Sequence, residues 1–158
     1  SGVGERVNNN QLEFQDYSME SYNHCIELFD LNCPEFFAPI EKSDYIEFLN
    51  QKEDSYFTIH HNSILIGAYG IHITSGRSAS QSWTLIHPDY QGSGIGRLIM
   101  QRIFYYMEKN DIDDLSLSTS QHTEAFFMKF GARRIDFIEN GWGEGLHRIE
   151  MEIDRSKH

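Results

Sequence analysis

The 158-residue sequence predicts an α/β fold built on a single mixed, largely antiparallel sheet with helices on both faces, in the order β-α-α-β-β-β-α-β-α-β-β. Three observations carry that expectation. Strand-like segments at 56–60, 64–73 and 81–87 are separated by short turn sequences, the pattern of an antiparallel meander. The last of them runs through a glycine-rich loop into a helical pattern from about Gly94 to Lys109. A further strand at 115–119 is reached by that helical crossover, and so is expected parallel to its predecessor.

Residues 12–17 alternate with period two and read as a first strand. Ser18 is placed to cap a helix in which Tyr22, Cys25, Ile26 and Phe29 recur at three- and four-residue spacing, giving one apolar face. Asn32-Cys33-Pro34 ends it, because a residue before proline is pushed out of the helical region. Phe36 and Phe37 follow between two prolines, and either plug the core or line the mouth of a pocket. Ser43 is the expected cap of a shorter helix carrying Tyr45, Ile46 and Leu49. The meander turns at His61-Asn62-Ser63 and again around Ser75–Ser78. In the long helix Ile95, Leu98, Ile99, Ile103 and Tyr106 form the stripe that Met100, Phe104 and Met107 widen. Lys109 suits the negative helix end, and Asn110 is a natural stop. A short helix at 123–130 ends at Gly131, and a hairpin of 134–139 with 146–153 closes the fold around a loop at 140–145. Residues 12–154 are expected to form one domain, with 1–11 and 155–158 as flexible termini.

Thirteen basic against twenty-four acidic residues give a formal charge of −11, which disfavours nucleic acid as a partner. The same negative field suits a cationic partner such as an amine, or serves only solubility. No apolar run approaches the roughly 18 residues of a membrane span, so no membrane partner is expected. Cys25 and Cys33 form no CxxC pair; they read as free thiols of a reducing cytoplasm, with a disulfide as the alternative. No HExxH or paired CxxC occurs, and adjacent His60 and His61 face opposite ways on a strand, so no metal is expected.

The organising stretch is Ile86-His87-Pro88-Asp89-Tyr90-Gln91-Gly92-Ser93-Gly94-Ile95-Gly96-Arg97. A chain that leaves a strand, turns on glycines and starts a helix points several N–H groups one way, at the positive helix end, and so binds anions. A P-loop would need a lysine and a hydroxyl residue after its last glycine, where Arg97-Leu98 stand. A dinucleotide fingerprint would need a third glycine at another offset and a preceding βαβ unit. Gln91-x-x-Gly94-x-Gly96 instead resembles the (Gln/Arg)-x-x-Gly-x-(Gly/Ala) signature of the GNAT superfamily of acyl-CoA-dependent N-acyltransferases. The flanking strand, Pro-x-Tyr and helix, the element order, and "EAFFMKFGARRI" near the end resemble the same family.

The resemblance implies an acetyl-CoA-dependent N-acetyltransferase that moves acetyl to a primary amine of a small molecule or peptide, with a homodimer as an option. Gln91, Gly92, Ser93, Gly94, Ile95 and Gly96 would then neutralise the cofactor's pyrophosphate through backbone N–H groups, glycine allowing close approach. Arg97 either adds a charge-assisted contact or is simply a solvated first-turn residue. Leu85, Ile86 and His87 would offer backbone groups to the pantetheine arm, which pairs like an added strand. A backbone N–H near Ile86 is the expected oxyanion donor.

Several residues are candidates for the catalyst. The tyrosine common in the family's later helix is here Phe127, which can pack against the arm but donates no proton. Ser120 or a water is the substitute acid, unless the thiolate leaves unaided. The strand before the loop carries no ionisable base; Gln81 or Ser82 are candidates to hold a water. His72 is the titratable candidate, or else a hydrogen-bonded strand residue. Trp142 with Glu144, and Glu35 with Phe37, are candidates for the acceptor pocket. The alternative reading is a CoA-binding sensor that lost the chemistry, with a nucleotide-binding module behind it.

Overall fold

The computed structural model describes residues 11–51 and 55–156. Its elements are β1 (Leu12–Asp16), α1 (Tyr22–Leu31), α2 (Lys42–Asn50), β2 (Ser55–His61), β3 (Ile64–Ser75), β4 (Ser78–Ile86), α3 (Ile95–Lys109), β5 (Asp114–Thr119), α4 (Glu124–Met128), β6 (Arg133–Gly143) and β7 (Leu146–Asp154). The strands form one sheet in the order β1-β2-β3-β4-β5-β7-β6. Only β4 and β5 pair in parallel; the other neighbours run antiparallel. The expected fold class and element order are therefore those observed. The expectation of flexible termini falls mostly on residues 1–10 and 157–158, outside the described residues.

Helical periodicity decides the packing of α3. Ile95, Ile99, Met100, Ile103 and Met107 are buried on one face, with Leu98, Phe104 and Tyr106 half-buried at its margins. They press on the sheet face bearing Ile66, Ile71, Leu115, Leu117, Ile149 and Met151, joined by Phe127 of α4. The opposite face carries Ala68 and Leu85 under Cys25, Leu28 and Phe29 of α1 and Tyr45 and Leu49 of α2. In β5, buried Leu115, Leu117 and Thr119 alternate with exposed Ser116 and Ser118, the period a pleated strand imposes. Ile103 is fully buried at the centre of the first cluster, so Ile103→Ala is expected to cost about 3 kcal/mol. A lower urea midpoint at unchanged slope checks this.

Local signals at the helix starts differ from expectation. A 3-10 turn, Met19–Ser21, precedes α1, and Ser18 makes no side-chain capping bond. Another, Pro39–Glu41, precedes α2, so Ser43 lies inside the helix rather than capping it. Glu41 reaches back to accept the Ala38 N–H at 2.8 Å, which does a cap's work from the other end of the turn. The final hairpin is longer than expected. Strand β6 continues to Gly143, and the turn is Glu144-Gly145, with Gly145 at φ +77°. Asn140 holds it by accepting the Gly145 N–H at 2.7 Å. Trp142 thus stands at a strand end rather than within the loop expected at 140–145. Cys25 and Cys33 are free thiols rather than a disulfide.

Candidate active site

One feature of the ladder makes the site. Strands β4 and β5 pair only at Ser78–Ser80 with Asp114–Ser116. Beyond Ser80 they part, while β5 stays bound to β7 as far as Thr119. The parting opens into a cleft of about 920 Å³, within the usual range for a ligand site. Its walls include Gln81, Trp83, Thr84 and Ile86 of β4, Leu117–Thr119 of β5, and Phe126 and Phe127 of α4.

The glycine loop borders one end. A 3-10 turn, Pro88–Tyr90, leads to Gly92 at φ +77° and Gly94 at φ +99°, left-handed conformations that suit glycine. The first helical bond of α3 is donated by Leu98 N–H to the Gly94 carbonyl at 3.1 Å, which leaves the N–H groups of Gly94 to Arg97 at the helix start. Those of Gln91 and Ser93, expected to meet the pyrophosphate, are instead committed to the Pro88 and Tyr90 carbonyls. A Cβ on Gly96 would stand 2.9 Å from Phe126 Cζ, so glycine there lets α4 close on the first turn of α3. Tyr90 anchors the loop: its hydroxyl bonds His61 Nδ1 at 2.7 Å, and its carbonyl accepts the Ser93 hydroxyl. His61 is thereby a strut between the β2–β3 turn and the loop rather than an exposed hairpin end.

At the cleft's centre β4 bulges. Ala68 pairs with Leu85 and Gly70 with Ser82, so Trp83 and Thr84 together oppose Tyr69. Trp83 has φ +42°, a strained conformation for a bulky residue. Tyr56, two strands away on β2, holds it there: its hydroxyl donates to the Trp83 carbonyl at 2.7 Å. The phenol ring passes over Gly70, where a Cβ would lie 3.0 Å from Tyr56 Cδ1 and 2.6 Å from Ser82 Oγ. Tyr45 hydroxyl pairs with Tyr56 hydroxyl at 2.8 Å. Burial holds both phenols well above their ordinary pKa, so both keep their protons at neutral pH. The Trp83 ring stacks on Phe37 at 6.0 Å between centroids and packs on Tyr45 at 4.9 Å.

Across the sheet the cleft meets Phe36, Phe37 and Glu41 from the α1–α2 connection, and Trp142, Arg148 and Glu150 from the last hairpin. Trp142 Nε1 donates to the Thr119 carbonyl at 2.9 Å, and the Arg148 guanidinium lies 4.6 Å from the Trp142 ring centroid. Arg148 also pairs with Glu150, which accepts the Ser118 hydroxyl at 2.6 Å. Burial pushes the Glu41 carboxyl up to about 7, against the pull of the Ala38 N–H; Asp44 adds to the rise and Arg148 opposes it. Folding therefore favours its protonated form. That contribution is full in acid and is lost as pH rises through about 7.

The structure brings most of the expected residues to this cleft. Ile86, Gln91, Gly92, Gly94, Gly96, Arg97, Phe127, Gln81 and Ser120 line it. Ser93 and Ile95 are buried beneath the loop, and Leu85 is fully buried against α1 and α2. His87 has its N–H committed to the Ile66 carbonyl and its carbonyl to Tyr90 N–H, so neither is left to offer a ligand. By strand alternation the Ile86 backbone then faces away from β3, toward the gap. His72 is not among the lining residues; it pairs with Ser80, and its Nδ1 is buried without a partner. Gln81 donates to Thr84 Oγ1 at 2.9 Å, while its Oε1 is buried and unpaired in the cleft wall. Among the described residues, no group of three or more His, Cys, Asp or Glu is placed to hold a metal. Sequence reasoning missed Tyr56, Glu41, Arg148 and Glu150. Gly70 inside a strand run was the signal available for the first of them, since an isolated strand glycine marks a bulge or a close approach.

Known proteins share this fold. The acetyltransferase (GNAT) family matches residues 25–132. The chain is 27% identical over 133 residues to an uncharacterized N-acetyltransferase, ycf52, of Pyropia yezoensis, covering 77% of this chain and 72% of that protein. Its fold superposes on the ribosomal-protein-S18-alanine N-acetyltransferase from Escherichia coli with a TM-score of 0.76 at 16% identity, over 93% of this chain and 96% of that one. An aminoglycoside 6'-N-acetyltransferase complexed with coenzyme A gives a TM-score of 0.74 at 12% identity, over 92% and 98% of the two chains. The fold class is thus that of N-acetyltransferases. By the family match over most of its length, the chain belongs to the GNAT family and is an acetyl-transferring enzyme.

Proposed function

We propose that residues 12–154 form an acetyl-CoA-dependent N-acetyltransferase domain acting on a primary amine by direct attack on the thioester. The observation that carries this is the continuous cleft from the glycine loop, through the parted β4 and β5, to the aromatic and acidic wall beyond. One end offers helix-start N–H groups to a pyrophosphate, and Arg97, exposed on that end, adds positive charge. The gap suits an extended arm with no side chains, pairing with the Ile86 backbone and packing on Phe127. Gln81 Oε1, buried and unpaired, is ready to accept a hydrogen bond from an amide of that arm or from the incoming amine.

In the step itself the amine nitrogen bonds the carbonyl carbon and the carbon–sulfur bond breaks. Backbone N–H groups of the bulged strand near Ile86 stabilise the developing oxyanion. Ser120, buried in the wall, is the side chain available to protonate the departing thiolate where Phe127 supplies none. Free Cys25 and Cys33 fit a reducing, cytoplasmic setting.

A thiol-release assay over a panel of amines tests the proposal, alongside titration with acetyl-CoA. Turnover of at least one amine, with saturable acetyl-CoA binding, is the expected outcome. Tight acetyl-CoA binding with no turnover of any amine would favour a CoA-binding sensor, a reading that Phe127 and the base-free strand β4 support.

A further inference from the structure

We propose that Glu41 is the carboxylate that receives the acceptor's amine, and that the acceptor is a small primary amine with a flat apolar body held among Phe36, Phe37 and Trp142. This rests on the transferase reading of the same cleft. Three observations lead to it.

The first is the balance of charge in the acceptor half. Glu150 is occupied by Arg148 and by the Ser118 hydroxyl, and Arg148 in turn by Glu150 and the Trp142 face. Glu41 makes no ion pair among the described residues; its recorded bond is the Ala38 N–H on Oε2. A buried carboxylate with no cation is costly, so this one asks for a proton or a cationic ligand. Arg148, the cation of this wall among the described residues, is committed to Glu150 and so is not free for an anionic acceptor.

The second is the wall around it. Phe36, Phe37 and Trp142 present ring surface to the cleft, and Phe37 is fixed by stacking on Trp83. Gly143 brings the last hairpin against the α1–α2 connection; a Cβ there would lie 3.0 Å from Ala38 Cβ. Aromatic surface beside one carboxylate selects an ammonium on an apolar body over a long polyamine, which would carry further charges to be met.

The third is the proton that the reaction must lose. An acceptor arrives as R–NH3+, and attack requires R–NH2. Glu41 takes one proton from the ammonium and later passes it to water. Nitrogen then bonds the carbonyl carbon, carbon–sulfur cleavage follows, Ser120 gives its proton to the departing sulfur, and the second proton from nitrogen restores the Ser120 hydroxyl. The overall products are the amide, the thiol and one proton. The charged groups that tune Glu41 are Asp44 of α2 and Arg148 from β7; Glu41 in turn helps raise the Cys33 thiol, and Lys42, which lowers it, is held by Asp30. A carboxyl titrating at about 7 is matched to taking a proton near neutral pH.

The experiment measures kcat/KM against pH for arylalkyl amines, linear polyamines and acidic amino compounds, in wild type, Glu41→Gln and Glu41→Asp. Glutamine keeps an oxygen for the Ala38 N–H, and thermal melting verifies that the variants fold. Wild type is expected to prefer the arylalkyl amines and to show an acid limb near pH 7. Glu41→Gln is expected to lower kcat/KM about 100-fold, erase that limb and leave acetyl-CoA affinity unchanged, with Glu41→Asp restoring part of the rate. Wild-type rate and limb in Glu41→Gln, or preference for acidic acceptors, would overturn the assignment while leaving the transferase reading intact. No turnover of any amine by the wild type would overturn both.

Discussion

Gly94→Glu is expected to lower acetyl-CoA affinity more than about 100-fold, or about 3 kcal/mol, without unfolding the protein. Two effects add. Gly94 lines the cleft at φ +99°, so a side chain there strains the loop and takes up room where a phosphate would approach backbone N–H groups. Its carboxylate then occupies the same helix-start field that would hold the phosphate, and repels any anion arriving later. That field stabilises the introduced charge, which offsets part of the roughly 1–2 kcal/mol that a left-handed non-glycine residue costs. Gly94→Ala separates the two, because it carries the backbone strain and a single methyl but no charge. Titration calorimetry on both variants, with circular dichroism to verify folding, makes the comparison. Unchanged affinity in a folded Gly94→Glu protein would mean that the loop does not hold the cofactor.

Tyr56→Phe is expected to lower kcat about 10-fold or more while acetyl-CoA affinity stays near wild type. The lost hydroxyl leaves the Trp83 carbonyl without its donor and the Tyr45 hydroxyl with only the Cys25 thiol, a stability cost of about 1–3 kcal/mol. The effect on rate arises elsewhere. Trp83 at φ +42° is held in the bulge by that bond, and the bulge falls where β4 lines the cleft. Released, the strand relaxes toward a regular ladder, and preorganised donors lose their aim at the carbonyl oxygen. Loss of stability alone would not divide kcat from KM, so steady-state kinetics well below the melting temperature is the discriminating measurement. Because burial keeps the phenol protonated, the Tyr56 contribution is expected to be flat through the neutral range.

Local chemistry was legible in the sequence. The spacing of Gln91, Gly94 and Gly96 prescribes a loop whose geometry depends on a dozen consecutive residues, and the structure forms it there. Strand-like runs divided by short turn sequences likewise located the meander, and the three- and four-residue stripe located α3. Turn chemistry was less legible: Ser18 and Ser43 had the composition of caps, but 3-10 turns took the helix starts instead. Glycines at 141, 143 and 145 suggested a loop around Trp142, where β6 in fact continues to Gly143 and only the last glycine makes the turn. What stayed hidden depends on contacts far apart in the chain. Tyr56 looks like any strand aromatic until Gly70 is seen to clear its path to Trp83. Glu41 looks like a surface acid of a short helix until the last hairpin folds over it. His61 gave no sign of reaching Tyr90 across 29 positions of sequence.

The parting of β4 from β5 after Ser80 has a consequence for association as well as for binding. A strand edge with free backbone groups is the feature by which sheets recruit other chains and aggregate. Here two such edges exist inside the sheet, facing each other rather than solvent. On one face α3 and α4 cover the opening, and on the other the α1–α2 connection and Trp142 crowd it. A polypeptide strand entering there would have to fit side chains against both of these walls. An extended molecule bearing amides but no side chains meets no such obstacle. The same crowding that protects the molecule from its own kind therefore acts as a sieve for what is allowed to complete the sheet.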